Sequence, residues 1–126
     1  MLKKLFSTQQ SGNNAERLAE TYLREQGLSL IERNYRCRHG EIDLIMRHGE
    51  TMVFVEVRLR QSGRDRGNDY GGAAASIGPR KQARIVAAAQ HYLAGMKQLP
   101  PCRFDAVLLN QLSAAEIEWL RDAFGA

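Results

Sequence analysis

The run Gly40-Glu41-Ile42-Asp43-Leu44-Ile45-Met46, continued across Arg47-His48-Gly49-Glu50 by Thr51-Met52-Val53-Phe54-Val55-Glu56-Val57-Arg58-Leu59-Arg60, decides the fold. Both halves are dense in β-branched and aromatic residues and are separated by a short glycine-containing link, which predicts strands over Glu41–Met46 and Thr51–Arg60 joined as a hairpin. Side chains alternate along a strand. Glu41, Asp43 and Ile45 therefore share one face, and Ile42, Leu44 and Met46 the other. With His48-Gly49 as the two-residue loop, Glu41 falls opposite Glu56 and Asp43 opposite Phe54. Three carboxylates then gather on one face, within a strand spacing of roughly 4.8 Å. Like charges facing each other in a sheet are destabilising. The offset comes either from Arg58 and Arg60 on the same face, as on an ordinary solvated sheet surface, or from a bound divalent metal. The apolar density of both strands implies cover on both sides, where an unpaired carboxylate is costly. Oxygen-only donors without a Cys or His pair suit a hard ion, magnesium or manganese.

Outward from this hairpin, apolar residues at Ala15, Leu18, Ala19, Tyr22 and Leu23 mark an amphipathic helix over Asn13–Gln26, with Asn13 as its cap and Gly27 as its stop. Glu16 stands where a capping box places its acid, or else is a further acidic group that the helix carries to the sheet. Leu28–Cys37 reads as a strand and Arg38-His39-Gly40 as its turn. Residues 61–76, rich in Gly, Asp, Asn and Ser, are expected to form a mobile loop, and residues 1–11 a flexible end. A second helix is expected from Pro79 to about Gly95, with proline in its first turn. Arg103–Leu109 is a further strand, and Ala115–Phe124 either a strand running into a helical turn or a helix. The order α-β-β-β-α-β describes one α/β domain over 1–126, a mixed central sheet flanked by helices.

In combination, Gly40-Glu41-Ile42-Asp43-Leu44-Ile45 and Val53-Phe54-Val55-Glu56-Val57-Arg58-Leu59-Arg60 resemble the signature of the YraN-like family of bacterial proteins. The similarity extends from the Gly12–Ala19 helix start through Asn34-Tyr35-Arg36-Cys37 to Lys81 and Arg103-Phe104-Asp105. That family is placed in the PD-(D/E)xK nuclease superfamily, near the archaeal Holliday junction resolvases. The resemblance implies a restriction endonuclease-like fold and a metal-dependent DNA endonuclease acting on branched or structured DNA. Asp43 and Glu56 would be its metal ligands, for Mg or Mn. Glu16 matches the acid contributed by the first helix in related resolvases, and Arg58 occupies the usual lysine position. Arginine stays protonated, so it can hold a phosphate or stabilise charge but cannot act as a general base. Lys81 is an alternative source of the amine. A homodimer is expected by analogy with junction resolvases. The alternative is a non-catalytic nucleic-acid-binding protein that keeps the nuclease fold.

Charge placement agrees with a polyanionic partner. The 126-residue chain carries +4 overall. Val57–Arg84 holds seven cations (Arg58, Arg60, Arg64, Arg66, Arg80, Lys81, Arg84) against Asp65 and Asp69, a net +5, which leaves −1 for the rest. Cations in a helix's first turn oppose its dipole, whereas an anion docked there would favour it. These seven residues are the expected DNA contacts. Cys37 and Cys102 lack the spacing of a zinc site or disulfide framework and are expected to be buried thiols. No apolar run is long enough for a membrane span or a signal segment, which places the protein in the cytoplasm as an expectation. The three histidines show no ligand spacing, and Trp119 and Phe124 are expected to complete a core or a dimer contact.

Overall fold

The structure is a computed structural model. It describes residues 2–60, 77–110 and 116–125, with side chains in the first helix from residue 14 onward and without the Arg60 side chain. The expected loop over 61–76, with Arg64 and Arg66, lies outside the described residues. The elements run α1 (Leu2–Glu25), β1 (Ser29–Cys37), β2 (Gly40–His48), β3 (Thr51–Arg60), α2 (Pro79–Leu93), β4 (Cys102–Asn110) and β5 (Ile117–Phe124). All five strands form one sheet in sequence order. β3 and β4 are parallel, while the other pairings are antiparallel. This is the mixed α/β architecture that the alternation of periods predicts, with a fifth strand added.

The sheet is covered on both faces. On one, Ala15, Ala19 and Leu23 of α1 pack on Leu44, Met46, Val53, Val55, Val107 and Leu109. On the other, Ile85, Ala88 and Ala89 of α2 pack on Ile45, Met52, Phe54 and Ala106. Phe54, Phe104 and Phe124 stack with centroids 5.4 and 5.2 Å apart. Burying each such side chain contributes about 1.5–3 kcal/mol before entropy is counted.

α1 begins at Leu2, so Asn13 lies within it and is not its cap. The capping-box role for Glu16 falls with that start. The helix stops as expected at Gly27, whose φ of +101° is open to glycine without penalty. The Leu28 N–H donates to the Leu23 carbonyl and the Gly27 N–H to the Arg24 carbonyl, each at 3.0 Å, while Leu28 and Leu23 are both buried. That combination is a Schellman ending with its apolar contact. β5 resolves the open reading as strand over Ile117–Phe124. Trp119 and Phe124 both join the core clusters. Cys37 is half-buried, but Cys102 is exposed rather than buried, since it opens β4 directly after the surface pair Pro100-Pro101.

The hairpin register differs from expectation by two residues. His48 pairs with Thr51, which makes Gly49-Glu50 the loop. Gly49 has φ +63° in the first loop position, the place a II′ turn reserves for glycine. A shift of two preserves the faces and changes the partners. Extended one rung past Leu44–Val55, where the pairing ends, this register would set Asp43 against Glu56, not Phe54, and it removes Glu41 from the position opposite Glu56.

Gly40 positions the β1–β2 turn on α2. A Cβ added there would meet the Arg84 carbonyl oxygen at 3.1 Å and the Arg84 Cβ at 3.2 Å. Gly40→Ala is therefore expected to retain the fold but cost about 1–3 kcal/mol by overpacking, read as a lowered urea midpoint with an unchanged m-value.

Candidate functional site

The β2–β3 ladder stops at Leu44 opposite Val55. Beyond that rung, Asp43 Oδ2 accepts the Val57 N–H at 2.9 Å, so a side chain takes a donor that a further rung of the sheet would have used. Strict alternation also breaks at Asp43. Leu44 belongs to the α1-side cluster, whereas Ile42 joins Ile45 on the α2 side. The reverse face of β2 is thus not the uninterrupted Ile42-Leu44-Met46 row expected. At this interruption the Asp43 and Glu56 carboxyls come close enough for each to act on the ionisation of the other. Glu56 is only 5% exposed.

Two buried carboxylates in contact cannot both ionise cheaply. Burial pushes Glu56 up to about 8, reinforced by the Asp43 charge and their hydrogen bond and opposed by Lys81. Asp43 is also raised, by burial first, with its bonds to Glu56 and Val57 working the other way. Both shifts favour a protonated carboxyl at this junction, and the titration belongs to the pair rather than to one residue. α1 brings Glu16 to the same junction. Its carboxyl rises to about 7 through burial and the charges of Asp43 and Glu41, although a hydrogen bond from Asn34 and the Arg36 charge favour ionisation. Within β1, Asn34 has a left-handed φ of 52°. Glu41 is half-exposed and pairs with Arg36 at 3.5 Å.

The ammonium beside the acids comes from α2. Lys81 Nζ lies 3.4 Å from Glu56 Oε2 and remains about half exposed. The basic first turn of α2 therefore has a negative neighbour, as the dipole argument asks. Arg58, two residues beyond Glu56, is exposed, as are Arg80 and Arg84. The structure thus brings Glu16, Asp43, Glu56 and Lys81 to one junction and leaves Arg58 at its outer rim. Sequence reasoning missed Asn34, whose signal is backbone conformation and not composition.

A hard cation fits the chemistry of this donor set: oxygen atoms only, and more acid than the local ammonium neutralises. Among the described residues no three His, Cys, Asp or Glu side chains converge as a ready-made cage. Asp43 and Glu56 would supply two ligands to such an ion. That number suits magnesium, which keeps several waters and completes its shell with substrate oxygen.

Two further carboxylates are buried for structural reasons. Glu20 receives Arg33 through two hydrogen bonds of 2.7 and 3.0 Å and clamps α1 to β1. Asp105, fully buried, receives Arg103, the Trp119 indole N–H and the Asp122 backbone N–H.

The fold and the junction define an α/β protein whose two-sided sheet presents a buried acid pair, attended by one ammonium, where two central strands part. The chain belongs to the family described as Uncharacterised protein family UPF0102, whose pattern matches residues 15–109 and so spans Glu16, Asp43, Glu56 and Lys81. It is 54% identical over 120 residues to a UPF0102 protein of Nitrosomonas europaea, covering 95% of this chain and 98% of that one. A UPF0102 protein of Nitrosospira multiformis is 54% identical over 113 residues, covering 90% and 91%. Another from Nitrosococcus oceani is 54% identical over 116 residues, with 90% of each chain covered. Among the described residues no helix is long and apolar enough to cross a membrane.

Proposed function

We propose that this protein is a magnesium- or manganese-dependent DNA endonuclease, with branched or structured DNA as its substrate class. The observation that carries the reading is the Asp43–Glu56 pair, buried where the β2–β3 ladder ends and placed 3.4 Å from Lys81. Asp43 and Glu56 would hold the cation, which when bound lowers the pKa of a coordinated water and polarises the phosphate. Val57 N–H fixes Asp43, so that carboxylate is oriented before any ligand arrives. Glu16 holds or releases a proton at the edge of the junction. Lys81 balances the acids and directs a positive charge to the phosphate position, a role that Arg58 shares from the rim. The resemblance to the PD-(D/E)xK superfamily supports the same assignment.

The test is cleavage of supercoiled plasmid and of oligonucleotide four-way junctions in magnesium or manganese, with EDTA as control. Cleavage is expected with the parent protein and is expected to fall to background in Asp43→Asn and Glu56→Gln, while circular dichroism shows the fold retained. Salt-sensitive DNA binding without cleavage of any of these substrates would replace the reading with that of a non-catalytic binding protein on a nuclease fold.

A further inference from the structure

Beside the acid pair, the β1–β2 turn and α2 enclose a cleft of about 480 Å³. Its walls carry Arg36 and Arg84, with Lys81 at the end nearest Glu56. Glu41 also lines it, already paired with Arg36, so the cleft remains net positive. Gly40 makes its floor narrow by letting the turn approach Arg84.

A cluster of rings stands further along α2 from the cleft. Lys81, Arg84, Ala88 and His91 recur at three- and four-residue steps, and so share one face of α2. From Lys81 to His91 that face extends about 15 Å. At its far end the exposed His91 faces the exposed His39 of the β1–β2 turn, with ring centroids 5.8 Å apart. Tyr35 is hydrogen-bonded through its hydroxyl to His91 Nδ1, which fixes the imidazole in place. Tyr35 also rests edge-on against Tyr92, at 5.1 Å. Cations followed by supported, solvent-facing rings form the pairing used to bind single strands: charge for the phosphates and π faces for unstacked bases. A duplex keeps its bases stacked internally and offers these rings nothing to stack on.

We infer that the cleft and the His39–His91 rings form a track for an unpaired DNA strand leading away from the acid pair, with phosphate between Arg36 and Arg84 and base against the imidazoles. The inference rests on the DNA reading above and assigns to the same site a requirement for unpaired nucleotides on one side.

The test is fluorescence anisotropy in EDTA, which separates binding from cleavage. The probes are a labelled oligothymidine, an abasic strand of equal length, and a duplex. The oligothymidine is expected to bind more tightly than the duplex and about tenfold more tightly than the abasic strand. The Arg36→Ala/Arg84→Ala variant should weaken both single strands alike and reduce the salt slope by roughly one unit per arginine. His39→Ala/His91→Ala should abolish the preference for the base-bearing strand and leave the salt slope unchanged. Equal affinity for the base-bearing and abasic strands, or preference for the duplex, would overturn the track even if metal-dependent cleavage is observed. Conversely, the expected binding pattern would uphold the track in a protein that does not cut.

Discussion

Asp105→Ala is expected to destabilise the protein by about 3–5 kcal/mol, the range for removing one partner from a buried charged network. This carboxylate has no solvent exposure. Its Oδ1 accepts Arg103 Nε at 3.0 Å and the Asp122 N–H at 3.0 Å, and its Oδ2 accepts the Trp119 indole N–H at 2.9 Å. Arg103 in turn reaches His48 Nδ1 at 2.9 Å, which ties the network to the end of β2. The β4–β5 register explains the demand for it. Phe104 pairs with Phe124 and Ala106 with Leu120, so β5 carries two more residues between these rungs than β4 does. Asp122 sits in that excess with a left-handed φ of 53°. Asp105 supplies the acceptor that the interrupted ladder cannot. Its loss would strand an indole N–H and a backbone N–H, each with a desolvation cost, and leave the Arg103 charge with only the His48 ring as partner. Trp119 is the chain's single tryptophan, so its fluorescence reports this network directly during urea unfolding. Asp105→Asn preserves shape and one carbonyl acceptor and should cost less than alanine. Two substitutions of equal and small effect would show that the network is not holding β5.

Asp105 also shows where sequence reading stops. Arg103-Phe104-Asp105 is legible as a strand, but alternation alone cannot distinguish an exposed Asp from one with three donors around it. Two of those donors come from β5, whose own secondary structure is undecided in the sequence because the Ile117–Phe124 segment has neither a clean two-residue nor a clean helical period. The central strands were legible for the opposite reason: Val53, Phe54 and Val55 are buried on both faces, and their composition leaves little choice. The hairpin register was within reach of sequence reasoning. Glycine belongs in the first position of a II′ loop, which selects Gly49-Glu50 and puts Asp43 against Glu56. The departure of Ile42 from its expected face was not readable, because it depends on Asp43 bonding to Val57 across the sheet. Nor could spacing show that Lys81, 25 residues after Glu56 in the chain, lies at 3.4 Å from it, since only the α2 crossover brings them together.

Raising the pH from 5 to 9 is expected to weaken the metal-free protein through Glu56, Asp43 and Glu16, and magnesium is expected to reverse that weakening. The folded protein holds protons on these groups more tightly than the unfolded chain. Glu56 rises from 4.5 to about 8 and Glu16 from 4.5 to about 7, burial being the first cause in both, and Asp43 moves in the same direction. Their contribution is complete below about pH 4.5 and is lost as the pH climbs through 7 and 8. The charges facing them are Glu41, which deepens the loss, and Lys81 and Arg36, which moderate it. Ion-paired carboxylates elsewhere titrate with the opposite sign, so the informative quantity is the difference between parent and Glu56→Gln. At pH 5 the two should melt together. At pH 8.5 the variant should melt higher by about 10 °C, corresponding to a few kcal/mol in a domain of this size. A cation held by Asp43 and Glu56 competes with their shared proton, so millimolar magnesium should raise the melting temperature of the parent at pH 8.5, have little effect at pH 5, and have little effect on Glu56→Gln at either pH. An equal rise in parent and variant would place the cation elsewhere. A parent-minus-variant difference that stays flat from pH 5 to 9 would mean that Glu56 ionises freely, and with it would go the physical reason for assigning a metal to this junction.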